Sequence, residues 1–167
     1  KLIETALLTA DIVVTTGGVS VGDYDFVQDV IKDKLKAEVL FHGVNLKPGM
    51  HILLALKDNK IIVALPGFAY SSTVCAMLYV LPLIYKFRNS NEKLPLVKAR
   101  INQDFSRFQA KTIFTACNVE YKNGEYQINF DGKKSGTSAI LTNMLESPAL
   151  LIQKENSKNI KAGDLVD

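Results

Sequence analysis

Apolar positions recur along this chain in two rhythms, and the change of rhythm marks its elements. Leu2, Ile3, Ala6, Leu7 and Ala10 share one stripe at helical spacing, which predicts a helix over residues 1–10 with no clear N-terminal cap. Ile12-Val13-Val14 is a continuous β-branched run, the pattern of a buried parallel strand. Phe26, Val27, Val30, Ile31 and Leu35 return to helical spacing, and residues 38–41 read as the next strand. Strand, helix and strand in that order predict a βαβ unit. Two short apolar runs, 52–56 and 61–65, flank the polar link Lys57-Asp58-Asn59-Lys60 and predict a hairpin. Leu65-Pro66-Gly67 then ends a strand and opens a long apolar helix, with Ser71 or Ser72 placed to cap it. Pro82 removes a donor from that helix and is expected to kink it.

Past the polar stretch Asn89-Ser90-Asn91-Glu92-Lys93 the texture becomes mostly β. Residues 96–101, 111–119, 126–130 and 149–153 are strand-like, and Lys122-Asn123-Gly124-Glu125 is a hairpin turn. A polar Gly-rich loop fills 131–138, a short helix is predicted over 139–145, and Ala162-Gly163-Asp164 forms a late turn. The expected fold class is therefore α/β: an αβ domain over residues 1–90, then a small β-barrel-like domain over 91–167.

Composition narrows the function classes. The chain has 167 residues, 47% of them hydrophobic and 22% charged, the balance of a soluble globular protein. A net charge of +3 without a basic stripe argues against nucleic acid as a partner. Cys75 and Cys117 lie far apart without Cys-x-x-Cys or histidine neighbours, which argues against zinc and for reduced thiols in a cytoplasmic protein. Glu4 interrupts any signal-peptide core at the start. The apolar run 68–85 contains Ser71, Ser72, Thr73 and Pro82, and reads as a buried helix rather than a membrane span.

The candidate chemistry sits at Thr15-Thr16-Gly17-Gly18-Val19-Ser20-Val21-Gly22-Asp23-Tyr24-Asp25-Phe26, between the first strand and the second helix. A small-residue turn that opens a helix holds anions, because the first helical N–H groups lack internal partners and glycines admit a close ligand. Asp23 and Asp25 oppose a bare phosphate but suit one bridged by a divalent cation. A capped αβ turn that binds nothing fits the same spacing. Leu65-Pro66-Gly67 is a second such turn, and two turns at carboxyl ends of strands converge on one crevice in an open α/β sheet. His42 and His51 read as ordinary strand residues rather than metal ligands.

The motif Asp11-Ile12-Val13-Val14-Thr15-Thr16-Gly17-Gly18-Val19-Ser20-Val21-Gly22-Asp23-Tyr24-Asp25 resembles the signature of molybdopterin molybdenumtransferases of the MoeA and gephyrin E-domain type. Phe41-His42, Leu46-Lys47-Pro48-Gly49 and Leu65-Pro66-Gly67 follow in that family's order, and the β module with its Gly-rich loop and Ala162-Gly163-Asp164 is similar to the family's C-terminal domain. The resemblance implies a MogA-like three-layer pterin-binding domain, incomplete at its N-terminus, followed by a β-barrel domain. It implies insertion of molybdate into adenylated molybdopterin with release of AMP, with Mg2+ present, by a cytoplasmic homodimer.

It further assigns Asp25 and Lys47 as catalytic, with Asp25 also the metal ligand, and Thr16, Gly17, Gly18, Ser20, Gly22, Pro66, Gly67 and Ser135 as substrate-binding. The chain departs from the family pattern at Gly43, at Phe68-Ala69 and at Thr115-Ala116, where the family carries a basic residue, Asn-Pro and an arginine. Lys133 and Lys134 are candidates to restore the lost charge. A molybdopterin adenylyltransferase and a non-catalytic, gephyrin-like interaction module are the alternatives. The Val19-Ser20 cradle and the second domain argue against the first alternative, and the missing basic residues favour the second.

Overall fold

The two apolar runs within residues 52–65 build the centre of the fold. In the computed structural model, which describes residues 1–20, 22, 25–106, 110–134, 138–146, 148–157 and 159–167, these residues form the hairpin β4 (Leu53–Lys57) and β5 (Lys60–Leu65). Its turn places Asp58 and Asn59 at φ 51° and 63°, the left-handed pair that matches the twist of a two-residue hairpin. Even and odd positions point to opposite faces. Leu53, Ala55, Ile62 and Ala64 enter one apolar cluster, while Ile52, Val63 and Leu65 enter another on the far side.

Helices cover both faces. On the first lie α1 (Leu2–Thr9), through Ile3 and Leu7, and α2, an α turn at Val27–Asp29 that continues as a π-helix over Val30–Lys34. On the second lies α3 (Ala69–Phe87), through Cys75, Ala76, Tyr79, Val80 and Leu83. The result is a three-layer αβα arrangement.

The βαβ unit is present, but its two strands are not neighbours. The strands flanking α2 are β1 (Ile12–Thr16) and β2 (Glu38–His42), and the sheet order is β1-β5-β4-β2. β1 runs parallel to β5, and two antiparallel steps return β2 to the same direction. So β1 and β2 are parallel, as expected, but the hairpin lies between them. The physical reason is apolar content. The hairpin is sealed on both faces and takes the centre, whereas Val14 at 42% and Leu40 at 46% exposure suit edge strands.

The cap on α3 differs from expectation. Phe68, extended at φ −73° and ψ 127°, is the N-cap residue, and neither serine caps. The Tyr70 and Ser71 N–H groups donate instead to the Ser138 carbonyl at 3.1 and 3.3 Å. A loop from the other module thus supplies what a cap would. Around Pro82 the helix widens into a π turn over Ala76–Val80 directly ahead of the missing donor.

The second sheet comprises β6 (Ala99–Ile101), β7 (Thr112–Lys122), β8 (Glu125–Asn129), β9 (Pro148–Gln153) and β10 (Leu165–Val166), with a 3-10 turn at Leu141–Met144. Its order is β10-β6-β8-β7-β3, where β3 (Leu46–Lys47) comes from the first half of the chain, and β9 pairs with the other side of β7. The sheet curls until the Ile152 N–H meets the Asp167 carbonyl at 2.9 Å, and Ile101, Cys117, Ile128 and Leu151 fill the interior.

The two sheets meet along α3. Tyr70 and Val74 pack against Ala116, Phe114 and Leu150, and the Tyr70 hydroxyl donates to the Phe114 carbonyl at 3.1 Å. α3 is long and apolar enough, by length and composition, to cross a membrane. The expected buried helix is buried only in its first half, at Tyr70, Ser71, Val74 and Cys75; no residue of 76–87 is fully buried, and Met77, Ile84 and Phe87 are exposed.

Burial also sets the chemistry of the two thiols. It pushes Cys75 up to about 12 and Cys117 up to about 11. The thiolate is the nucleophile, so neither is armed near neutral pH. We expect no rapid labelling by Ellman's reagent at pH 8 in the native chain, and labelling of both cysteines once it is unfolded in urea. Fast native labelling of either would contradict their burial.

A candidate oxyanion-binding cleft

The glycine turn owes its shape to its neighbours. β1 ends at Thr16 beside Leu65, and the Gly17 N–H donates to the Leu65 carbonyl at 2.9 Å. The two strand-ending turns therefore touch. A Cβ on Gly67 would lie 3.3 Å from the Gly17 Cα, so Gly67 is small because another backbone passes over it. Gly18 adopts φ 73°, and its carbonyl accepts the Val27 N–H at 3.0 Å, fastening the turn to the start of α2. Histidine 42 is bound here too. Its Nε2 lies 3.1 Å from the Val19 carbonyl, which makes it a brace for the turn.

Asp25 closes the turn from the helix side. Its Oδ2 accepts the Gly22 N–H at 2.9 Å, and its own N–H donates to the Gly22 carbonyl at 2.9 Å. Oδ1 has no partner among the described residues. Asp25 is half-buried at the edge of the cleft.

The opposite wall comes from the joint between the sheets. β3 pairs with the start of β7, Leu46 with Thr112 and Lys47 with Ile113, in parallel register. That pairing puts Lys47, at the cis peptide to Pro48, on the same wall as Lys111, whose Nζ meets Met50 Sδ. Lys133 and Lys134 come from the loop after β8. Asn143, only 3% exposed, clamps that loop: its Oδ1 accepts the Lys134 N–H at 2.9 Å and its Nδ2 donates to the Lys134 carbonyl at 2.8 Å.

Between the walls lies a cavity of about 1120 Å³. Gly17, Gly18, Ser20 and Asp25 line one side, Lys47, Lys111, Lys133 and Lys134 the other, with Pro66 and Gly67 between. Four lysines against two carboxylates, Asp25 and Asp131, make it a site for anions. Phe105 and Phe130, stacked at 5.0 Å and 14°, add an apolar margin on the barrel side.

Of the residues singled out from the sequence, Thr16 and Gly22 do not line the cavity and act on it through the turn they support. Ser135 lies outside the described residues. Lys111, Asn143 and the aromatic pair were not legible beforehand. Lys111 stands just before a predicted strand, and only the register of β3 on β7 puts it on the wall with Lys47. Ala116, where a basic residue was expected, is 4% exposed and packs with Tyr70 and Val74.

An αβα layer joined to a curled β sheet, with the glycine turn facing four lysines across one cleft, is the arrangement this chain presents. The family described as a probable molybdopterin-binding domain matches residues 1–86, more than half of the chain, and the chain belongs to it. It is 30% identical over 169 aligned residues to a molybdopterin molybdenumtransferase of Staphylococcus epidermidis, and equally to one of Staphylococcus aureus. In both cases the alignment covers all of this chain and 39% of the relative, so the chain spans about two fifths of the curated relatives it matches. The crystal structure of the molybdopterin biosynthesis MoeA protein from Pyrococcus horikoshii superposes with a TM-score of 0.67 at 25% identity. That superposition covers 98% of this chain and 36% of the other.

Proposed function

We propose that the full-length protein inserts molybdate into adenylated molybdopterin and releases AMP, with residues 1–90 as its pterin-binding domain and 91–167 as its C-terminal barrel domain. One observation carries this reading: the glycine turn and Asp25 face the lysines across a single cleft. A substrate with a phosphoanhydride and a second, dianionic substrate need two anion sites side by side.

Backbone N–H groups of Gly17 and Gly18, with the Ser20 hydroxyl, bind the pterin phosphate. Thr16 and Gly22 hold that turn in place, and Pro66-Gly67 form the floor. Lys47 and Lys111 bind molybdate as paired cations, with Ser135 as a further donor. Lys133 and Lys134 take over the charge missing at Gly43 and Ala116.

Asp25 would hold Mg2+. No three carboxylate, histidine or cysteine side chains gather to hold a metal among the described residues. A carboxylate with one oxygen unpartnered among the described residues nevertheless fits this ion, which is usually bound by one or two carboxylates plus substrate phosphates. An ion held there would supply charge neutralisation for the phosphoanhydride. Asp25 keeps the ion and the turn in one geometry, because the same carboxylate bonds Gly22.

The protein would work in the cytoplasm as a homodimer, on soluble substrates and without nucleic acid or membrane. Its two free cysteines suit a reducing compartment. Lys111, Lys133 and Lys134 on the cleft favour the enzyme over a non-catalytic module, and the second sheet favours it over an adenylyltransferase.

The test is an insertion assay on the full-length protein with adenylated molybdopterin and Mg2+. AMP should appear only when molybdate is added, one per molybdenum inserted. Binding of the pterin without molybdate-dependent AMP would overturn the catalytic reading and leave an interaction module.

A further inference from the structure

The cleft is larger than two oxyanions need. It measures about 1120 Å³, above the roughly 300–1,000 Å³ of a pocket that takes a whole drug-sized ligand. Its barrel side also carries groups that an anion does not use. Phe105 and Phe130 are stacked there at 5.0 Å and 14°, and Asp131 lines the cleft directly after Phe130 in the chain. A pair of phenyl rings and a carboxylate call for an uncharged, flat ligand group with hydrogen-bond donors on its edge.

These groups are held in place before any ligand arrives. Phe105 sits in a two-way backbone bridge with Ile160, each N–H donating to the other's carbonyl at 2.9 Å. Both rings pack against the barrel core of Ile101, Cys117, Ile128 and Leu151. Asp131 is fixed through its backbone. Its N–H donates to Asn129 Oδ1 at 3.1 Å, and its carbonyl accepts Asn118 Nδ2 at 3.0 Å. The Asp131 carboxylate itself has no hydrogen-bond partner among the described residues.

We propose that the barrel side of the cleft seats the pterin ring, with Phe130 and Phe105 as its stacking wall and Asp131 as the acceptor for its pyrimidine edge; this rests on the function proposed above. The order of groups in the substrate decides which of its two ring systems goes there. Adenylated molybdopterin runs adenosine, two phosphates, dithiolene, pterin. With the pterin phosphate on the glycine turn and the dithiolene at the lysines, the group that continues onto the barrel is the pterin. The adenosine extends the other way. Edge chemistry agrees. A pterin presents its 2-amino group and N3–H side by side, two parallel donors that one carboxylate accepts together. Adenine sets a ring-nitrogen lone pair beside its amino group, and a carboxylate repels that lone pair. The second carboxylate of an otherwise cationic cleft thereby selects one ring over the other.

Fluorescence titration of the full-length protein with 6-hydroxymethylpterin, which carries neither phosphate nor dithiolene, tests this. A Kd on the order of 10⁻⁴ M is expected for a ligand of that size. Asp131→Asn and Phe130→Leu should each weaken the pterin about tenfold and leave adenosine binding unchanged. Calorimetry with molybdate separates this role from a folding defect. Asp131 precedes the turn in which the Lys133 N–H donates to the Phe130 carbonyl at 3.0 Å, so Asp131→Asn removes negative charge close to the lysines. Molybdate should then bind as tightly as in the wild type or more tightly, whereas a damaged fold would lose both ligands. No pterin binding up to about 1 mM, ten times the expected Kd, would overturn the proposal. So would unchanged pterin affinity in both variants, or a loss confined to adenosine. AMP release is not the readout: molybdate-dependent release alongside unchanged pterin affinity in both variants would sink this seat and leave insertion standing.

Discussion

Gly49→Ala is expected to destabilise the chain by about 2–5 kcal/mol, combining the cost of left-handed backbone with that of overpacking. Gly49 sits at φ 105°, where an L side chain is strained whatever the space around it. Here there is also no space. An added Cβ would overlap Cys75 Sγ and lie 3.3 Å from Leu46 Cδ1 and 3.6 Å from the Ser71 carbonyl. None of these can retreat. Cys75 is fully buried in α3 and its Sγ donates to the Gly49 carbonyl at 3.4 Å, while Leu46 is buried in β3. The midpoint of urea unfolding should fall with its slope unchanged. Adding Cys75→Ala should recover the steric part but leave the backbone part, so the two changes are coupled rather than additive. A Gly49→Ala midpoint close to wild type would mean that the joint between β3 and α3 is not packed as described.

That joint is also where sequence reading runs out. The central hairpin was legible because two short apolar runs, the second opening on β-branched residues, flank a polar link with Asp58-Asn59. The barrel strands were legible for the same reason, and the glycine turn announced itself as strand, small residues, helix. β3 was not: it is only two residues long, directly ahead of Pro48-Gly49, and its pairing with Thr112-Ile113 is long-range, set by packing rather than local propensity. Missing β3 meant missing Lys111, one of the four lysines of the cationic wall. The α3 cap was misread because propensity favours a serine, whereas a carbonyl arriving from residue 138 fills the donors. Edge and centre in the first sheet were hidden too. Continuous apolar runs mark both β1 and β5, and only the degree of burial on both faces ranks them.

Asp25→Asn in the full-length protein is expected to lower molybdate-dependent AMP release about 10²–10³-fold, the range seen when a preorganised electrostatic contact is removed from an active site. The substitution is chosen because Asp25 has two separable jobs. Its carboxylate oxygen accepts the Gly22 N–H, which shapes the turn, and its charge and second oxygen are available to a metal. Asparagine keeps an acceptor for Gly22 and loses the charge. Stability should therefore change by no more than about 0.5 kcal/mol, as for a substitution that keeps its local bond. Binding of the phosphorylated pterin to the glycine turn should persist, since the backbone donors remain. Asp25→Ala should differ by also losing the turn contact, at about 1 kcal/mol, with weaker pterin binding. The pair of variants thus separates a helix-terminal acid from a metal-holding one. If Asp25→Asn released AMP at the wild-type rate while Asp25→Ala lost stability, the carboxylate would serve the turn alone, and the metal would have to be held elsewhere in the cleft.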